Sequence, residues 1–275
     1  MIDKIEATLN RLVAFSSETS SLDDAVELRN IATALEAADD IPVLTETCMS
    51  LCVDLVENSP PHAATVRSVL TLLARCCMRE ENRRLAARFG VFGLCVLVLR
   101  DHNSLSTDTL FATFDLIGTL AMNDGNSRRM MRPSIPYVVE VMEKHADSLQ
   151  LAFGGAVVIG TLTMLDNANA VLAAEHGCIQ LLISSFVQAH KRKKQLLCHR
   201  TSNLSRSKRD DEVLLCDNVI RWTRDALLKL VQAPAPIIDE KLGAADFGSY
   251  GASVEVDELT WQLRFDRRRV KASTP

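Results

Sequence analysis

Aromatic side chains are scarce in this 275-residue chain: two Trp, two Tyr and nine Phe amount to 5% of it. Glycine and proline are also few, at 11 and 8. A β-sandwich or barrel draws on aromatic and β-branched strands closed by Gly and Pro turns, so both are disfavoured, whereas plentiful Leu, Ala, Val and Met favour helices. No single sign of charge dominates either. The 31 basic and 35 acidic residues leave a net charge of −4, which excludes the whole-chain electrostatic footprint of a nucleic-acid binder. What the chain does have is apolar matter, 47% hydrophobic residues, enough for a sizeable core in one elongated array or in one to two compact domains.

Motifs that carry chemistry are missing. There is no HExxH, no GxSxG, no CxxC and no paired Cys/His zinc spacing. GAVVIGTL at 155–162 has the glycine spacing of a phosphate loop, but Thr161 stands where the Lys belongs and the segment reads as helix. The six histidines, at 62, 102, 145, 176, 190 and 199, scatter toward loops and helix ends. No metal and no cofactor are expected, and no enzymatic activity either, although an enzyme without a recognisable motif stays as the third reading beside the two given below. The eight cysteines sit mostly in apolar, helix-like contexts, which suits reduced core thiols of a cytoplasmic or nuclear protein. Cys48 and Cys52 share a helical face, Cys76 and Cys77 end another, and His176 stands next to Gly177 and Cys178. These read as buried and inert, with no thiol nucleophile among them.

The first residues, MIDKIEATLNRLVAF, carry Asp3 and Glu6 and no basic-then-apolar block, so they read as an amphipathic helix and resemble no signal or transit peptide. Ser148 to Leu165 is free of charge over 18 residues, the lower edge of a bilayer span. Its Gln, three Gly and two Thr, and its place in the repeat described next, make it a buried helix, and no membrane span is expected.

The chain repeats itself. LIGTLAMND at 116–124 returns as VIGTLTMLD at 158–166, an offset of 42 residues. Asn82, Asn126 and Asn169 recur at intervals of 44 and 43, and eight residues after each stand Gly90, Ser134 and Gly177. Periods of this size belong to helical arrays. Each unit reads as a short first helix, a tight turn where Gly takes positive φ at little cost, and two longer helices. Core pairs then fall at Leu94 with Cys95, Val138 with Val139, and Leu181 with Leu182. Third helices are expected at 106–122, 147–165 and about 213–232, with apolar residues at three- and four-residue spacing. Gly154, Gly155 and Gly160 would let the second of these approach its neighbours closely, against a helix-propensity cost of up to about 1 kcal/mol each.

ENRRLAARFGVFGLCVLVL (81–99) and NANAVLAAEHGCIQLLI (167–183) resemble armadillo repeats, which carry an Asn near the start of a short first helix, a Gly turn, and a third helix ending in an Asn-Leu-Ala-like step. The resemblance spans residues 80–232 and implies an all-α, right-handed solenoid of three-helix units. Residues 1–79 read as helices of one or two degenerate units at 22–37, 41–57 and 62–79, broken by ENSPPH at 57–62. Importin-α-like armadillo proteins place a ladder Asn on each third helix. The matching positions here are Arg75, Thr119, Thr161 and Lys229, with no Trp one turn earlier, so binding of nuclear localisation peptides by that ladder is not expected.

Arrays of this kind bind along a concave surface lined by one helix per unit. The third-helix positions expected to line it are Thr71 and Arg75, Asp115 and Thr119, Val157 and Thr161, and Asp225 and Lys229. Their mixed charge points to an extended peptide or helix of a protein partner and away from a nucleic-acid backbone. Two segments fall outside the repeat. Residues 190–211, with Lys191, Arg192, Lys193, Lys194, Arg206, Lys208 and Arg209, are too polar for the core and read as an exposed basic insertion. The insertion supplies the alternative reading, a nuclear-transport or nucleic-acid-associated adaptor with a localisation signal at 191–194, or a phosphorylation switch at Ser202, Ser205 and Ser207. After APAP, residues 233–275 read as a tail with at most one short helix. Its Phe247, Tyr250, Trp261 and Phe265 are more aromatic than a solvating linker carries, and mark a docking segment.

Overall fold

The computed structural model describes residues 1–14, 21–38, 40–59, 64–122, 124–198, 205–245 and 254–273. Every regular element among them is helical: α1 (Ile2–Ala14), α2 (Ser21–Glu36), α3 (Glu46–Asn58), α4 (Ala64–Cys76), α5 (Glu80–Arg88), α6 (Val91–Arg100), α7 (Thr107–Ala121), α8 (Gly125–Met130), α9 (Ile135–Lys144), α10 (Leu149–Thr163), α11 (Asn167–Glu175), α12 (Cys178–Cys198), α13 (Arg206–Leu230), α14 (Pro236–Ala244) and α15 (Val254–Ser273), with 3-10 turns at His102–Ser104 and Arg132–Ser134. The chain divides into two compact units, Met1–Ser134 and Ile135–Pro275.

Short polar side chains set the helix starts. Ser106, Ser148 and Ser205 cap the third helices α7, α10 and α13 by accepting from the amide three residues on, and Asp124 and Asp166 cap the short helices α8 and α11. The Asp that ends each copy of the nine-residue motif is therefore a cap for the helix that follows. The turns between first and second helices use Gly90 and Gly177 at φ 76° and 83°, left-handed values that a side chain resists. Ser134 takes the same place inside a 3-10 turn, fully buried, with its hydroxyl donated to Met131 O at 2.6 Å.

Asn82 and Asn169 explain the repeating Asn. Both are wholly buried. Asn82 donates to Pro42 O and Cys76 O and accepts from Leu44 N, each at 2.8 Å, and Asn169 donates to Leu162 O at 2.8 Å. Each ties its short helix to the carbonyl end of the preceding third helix, where the last C=O groups lack helical partners. Asn126 departs from this pattern, because it is exposed and its neighbour Ser127 is buried. Ser127 stands three residues after its cap Asp124, as Asn169 stands after Asp166. The register therefore follows the 42-residue offset, and Asn126 lies one residue out of it.

In the first unit α2 packs on α4 and α4 on α7, so three long helices lie side by side, with α1, α3 and α6 behind them. The pairs α1/α2 and α3/α4 are the degenerate repeats, each without a short first helix. In the second unit α10 packs on α13 and α13 on α12, and α14 packs against α11 and α12. Gly155 makes the close approach expected of it, whereas at Gly160 a side-chain methyl would find only ordinary van der Waals contact. A methyl at Gly155 would run into the Met142 side chain, and one at Gly160 would lie 3.5 Å from Ala226 Cα. The uncharged run at 148–165 is the 15-residue α10, and no single helix among the described residues is long and apolar enough to cross a membrane.

Two sequence expectations change. The basic stretch at 190–211 is not an excursion from the helices. α12 continues to Cys198 and α13 begins at Arg206, so most of it lengthens a helix pair that packs along its length. The segment 233–275 is likewise no tail with one short helix. α14 docks on α11 and α12, and the 20-residue α15 lies on α13 through buried Leu259, Leu263 and Arg267. Together they pack onto the second unit's own helices.

Candidate functional site

On the exposed side of the first unit, α4 presents Arg67, Thr71 and Arg75 one turn apart, all half-buried. Thr71 Oγ1 returns its proton to Arg67 O at 2.8 Å, so its side chain is held by its own helix. The two arginines reach sideways. Arg67 Nη1 meets Asp108 Oδ2 of α7 at 2.6 Å, while Arg75 Nη2 sits 2.5 Å from Glu36 Oε1 of α2 and 3.3 Å from Asp115 Oδ2 of α7. Arg75 thereby links three successive long helices. Desolvation raises the Asp115 carboxyl above its usual range despite the opposing pull of Arg75, and nearby Glu36 pushes the same way. The strip is thus charged and partly dried.

Thr119 does not belong to it. It is 4% exposed. Residues all round α7 are buried, which leaves Asp108, Phe111 and Asp115 as the helix's half-open line. Glu36, Arg67 and Asp108 are members that the sequence reading missed. The Arg67-Thr71-Arg75 spacing of four was visible, but the carboxylates that answer it lie on other helices.

In the second unit Val157 and Thr161 are half-buried on α10, with Thr161 Oγ1 donating to Val157 O at 2.8 Å. Asp225 and Lys229 form an i,i+4 ion pair of 2.6 Å on α13. The packing of Gly160 on Ala226, with Asp225 Oδ2 3.6 Å from the same point, brings these two pairs onto adjoining helices. Each of the two units therefore carries its own polar line on its long helices.

The basic stretch is partly neutralised from within. Arg192 Nε lies 2.6 Å from Glu212 and Lys193 Nζ 2.5 Å from Asp217, both across the α12–α13 pair. Lys191, Lys194 and Lys208 are exposed, Arg209 is half-buried, and Arg206 opens α13. Ser205 is the α13 cap, Ser207 is exposed, and Ser202 lies outside the described residues.

Of the four tail aromatics, Phe247 and Tyr250 lie outside the described residues. Trp261 and Phe265 stack at 5.1 Å on the open side of α15. On the inner side Arg267, 5% exposed, donates to Val231 O, Ala233 O and Ala235 O and grips Asp239 at 2.7 and 2.9 Å. One guanidinium thus ties the carbonyls that follow α13 to Asp239 and fastens α14.

Seven of the eight cysteines are buried and all are free. Burial pushes the Cys76, Cys95 and Cys178 thiols up to about 12, and Cys52 and Cys77 also rise. A thiolate nucleophile needs the opposite shift. Among the described residues no group of three or more His, Cys, Asp or Glu gathers as metal ligands would, and His190 leans on Phe186 at 4.5 Å.

No family model matches the chain, and no curated protein does. Solved structures do. A designed armadillo repeat protein has a TM-score of 0.67 at 13% identity, covering 97% of this chain and 100% of its own. Computationally designed armadillo repeat proteins for modular peptide recognition give 0.66 at 13% identity, with 97% and 99% covered. A designed armadillo repeat protein in complex with the peptide (KR)4 gives 0.63 at 14% identity, again with 97% and 99% covered. The chain accordingly has the all-α, armadillo-like helical-repeat fold.

Proposed function

We propose that this chain is a non-catalytic protein-interaction scaffold, an adaptor or assembly subunit that holds an extended peptide or helix of a partner protein along its long-helix faces. The observation that carries this reading is the strip formed by Glu36, Arg75 and Asp115, where charged groups of both signs from three adjoining helices are drawn half out of water yet stay partly open to solvent. Such groups can pair with main-chain amides and carbonyls arriving from outside. The likeness to peptide-recognising designed armadillo proteins supports it at the level of fold.

The raised thiols and scattered histidines support a role without chemistry, and the free cysteines support a cytoplasmic, reducing setting. The nucleic-acid alternative loses support because Arg192 and Lys193 are already paired with carboxylates. A nuclear localisation signal at 191–194 would have to leave the helix of α12 to be read in extended form.

A peptide-array selection on the full chain, repeated with Asp115→Arg and Asp225→Arg, tests the reading. The selected peptides should lose at least about tenfold in affinity with one or both reversals. Undiminished binding by both variants would remove the long-helix faces as the site.

A further inference from the structure

Large apolar groups gathered on the outer face of a helix mark a surface that another molecule can cover. Helix α15 carries such a face. Trp261 is 65% and Phe265 44% exposed, with rings stacked at 13°. Beside them Arg264 and Arg268 are exposed and make no ion pair with a described residue, and these four with Asp257 and Thr260 border a hollow of about 320 Å³.

The first unit carries the complementary feature. An open cleft of about 260 Å³ is walled by Val56, Val66, Leu94, Leu97, Val98 and Leu105, and Glu57 and Asp101 stand at its rim. Leu97 is 50% exposed there, again a large apolar group facing water. Asp101 accepts from Ser104 Oγ at 2.8 Å and faces no cation among the described residues. One surface is aromatic with arginines beside it, the other is aliphatic with carboxylates beside it.

We propose that the two are halves of one interface between copies of this chain. The Trp261 and Phe265 rings of one molecule seat in the Leu97 cleft of a second, with Arg264 and Arg268 against Glu57 and Asp101. Donor and acceptor lie on different surfaces, so the contact is heterologous and passes from copy to copy head to tail. It is small and therefore weak and concentration-dependent. It is independent of the long-helix faces proposed above, and either assignment stands without the other.

Sedimentation equilibrium of the full chain over a range of concentrations tests it, with helical melting followed by circular dichroism to confirm that every variant is folded. The wild type should gain mass as concentration rises. Trp261→Ala and Leu97→Asp should each weaken association by at least about tenfold. An equimolar mixture of those two variants is decisive, because Leu97→Asp keeps the helix and Trp261→Ala keeps the cleft. The mixture should reach a dimer and stop there. Arg264→Glu with Arg268→Glu should likewise fail alone and associate with Glu57→Arg/Asp101→Arg. A wild type that stays monomeric at every concentration, or a mixture that forms no dimer, overturns the proposal. So does association that survives either single substitution.

Discussion

Asp115 is the residue where stability and the proposed binding role pull apart. Desolvation, the largest cause, raises its folded pKa, so its contribution to stability is fully present below the unfolded carboxylate value near 4 and is lost as pH rises through the folded value. At neutral pH the ionised group is therefore a cost to the fold, which Arg75 only partly offsets. Asp115→Asn is expected to leave Tm unchanged or raised at pH 7 while weakening partner binding, and a drop of several degrees would make Asp115 an ordinary structural member of the core. Arg267 and Asp239 behave in the opposite sense. The bonds from Arg267, then the weaker one from Lys271, hold the Asp239 carboxyl below its usual range, so this contribution is present above about pH 4 and lost as pH falls through the folded value. Arg267→Ala removes the buried bonds to Val231 O, Ala233 O, Ala235 O and Asp239, leaves Asp239 with Lys271 alone, and should cost about 3 kcal/mol at pH 7 by urea unfolding. The gap from wild type should narrow below about pH 4. A gap that is constant with pH would mean that packing and not the ion pair carries the effect.

The elements that sequence could reveal are those whose pattern is local. α7, α10 and the end of α13 were legible because apolar residues return every three or four positions on each, and Gly90 and Gly177 because a left-handed turn leaves a residue type behind. α15 was not legible, for a physical reason. Its inner face is Leu259, Leu263 and Arg267 at four-residue spacing, so one of three core positions is a charge whose use becomes visible only when the carbonyls after α13 and Asp239 are in place. The helical reach of 190–211 was hidden similarly, because its carboxylate partners lie 20 and 24 residues away. Asn126 misled because an Asn at nearly the right interval outweighed the Asp cap that sets the register. The long-helix strip was half legible: Arg75 and Asp115 follow from repeat alignment, whereas Glu36 and the burial of Thr119 are properties of packing. Since α14 and α15 pack onto the second unit's own helices, removal of 233–275 should lower the helical melting temperature as well as any partner affinity. An unchanged melt would return that segment to the status of a tail.

At the scale of the whole molecule the question is which kind of macromolecule the charge distribution will accept. The net charge of −4 is small for 66 ionised side chains, 31 basic and 35 acidic, because the charges are interleaved. In the first unit the strip alternates carboxylate and guanidinium across three helices, and in the second Lys229 is answered by Asp225. A polyphosphate laid along either line would meet carboxylates as often as cations. It would release few counterions, whereas a peptide that brings both main-chain polar groups and side chains of mixed sign would replace water at each step. The salt response distinguishes the two. Binding of a selected peptide between 50 and 200 mM salt should weaken by no more than a few fold, since roughly one or two exposed ion pairs are screened. A nucleic-acid ligand held by six or more phosphates would lose roughly a thousandfold over the same interval. A loss of that size for the bound ligand, abolished by Lys194→Ala with Lys208→Ala and untouched by Asp115→Arg, would move the binding function from the long-helix faces to the α12–α13 pair.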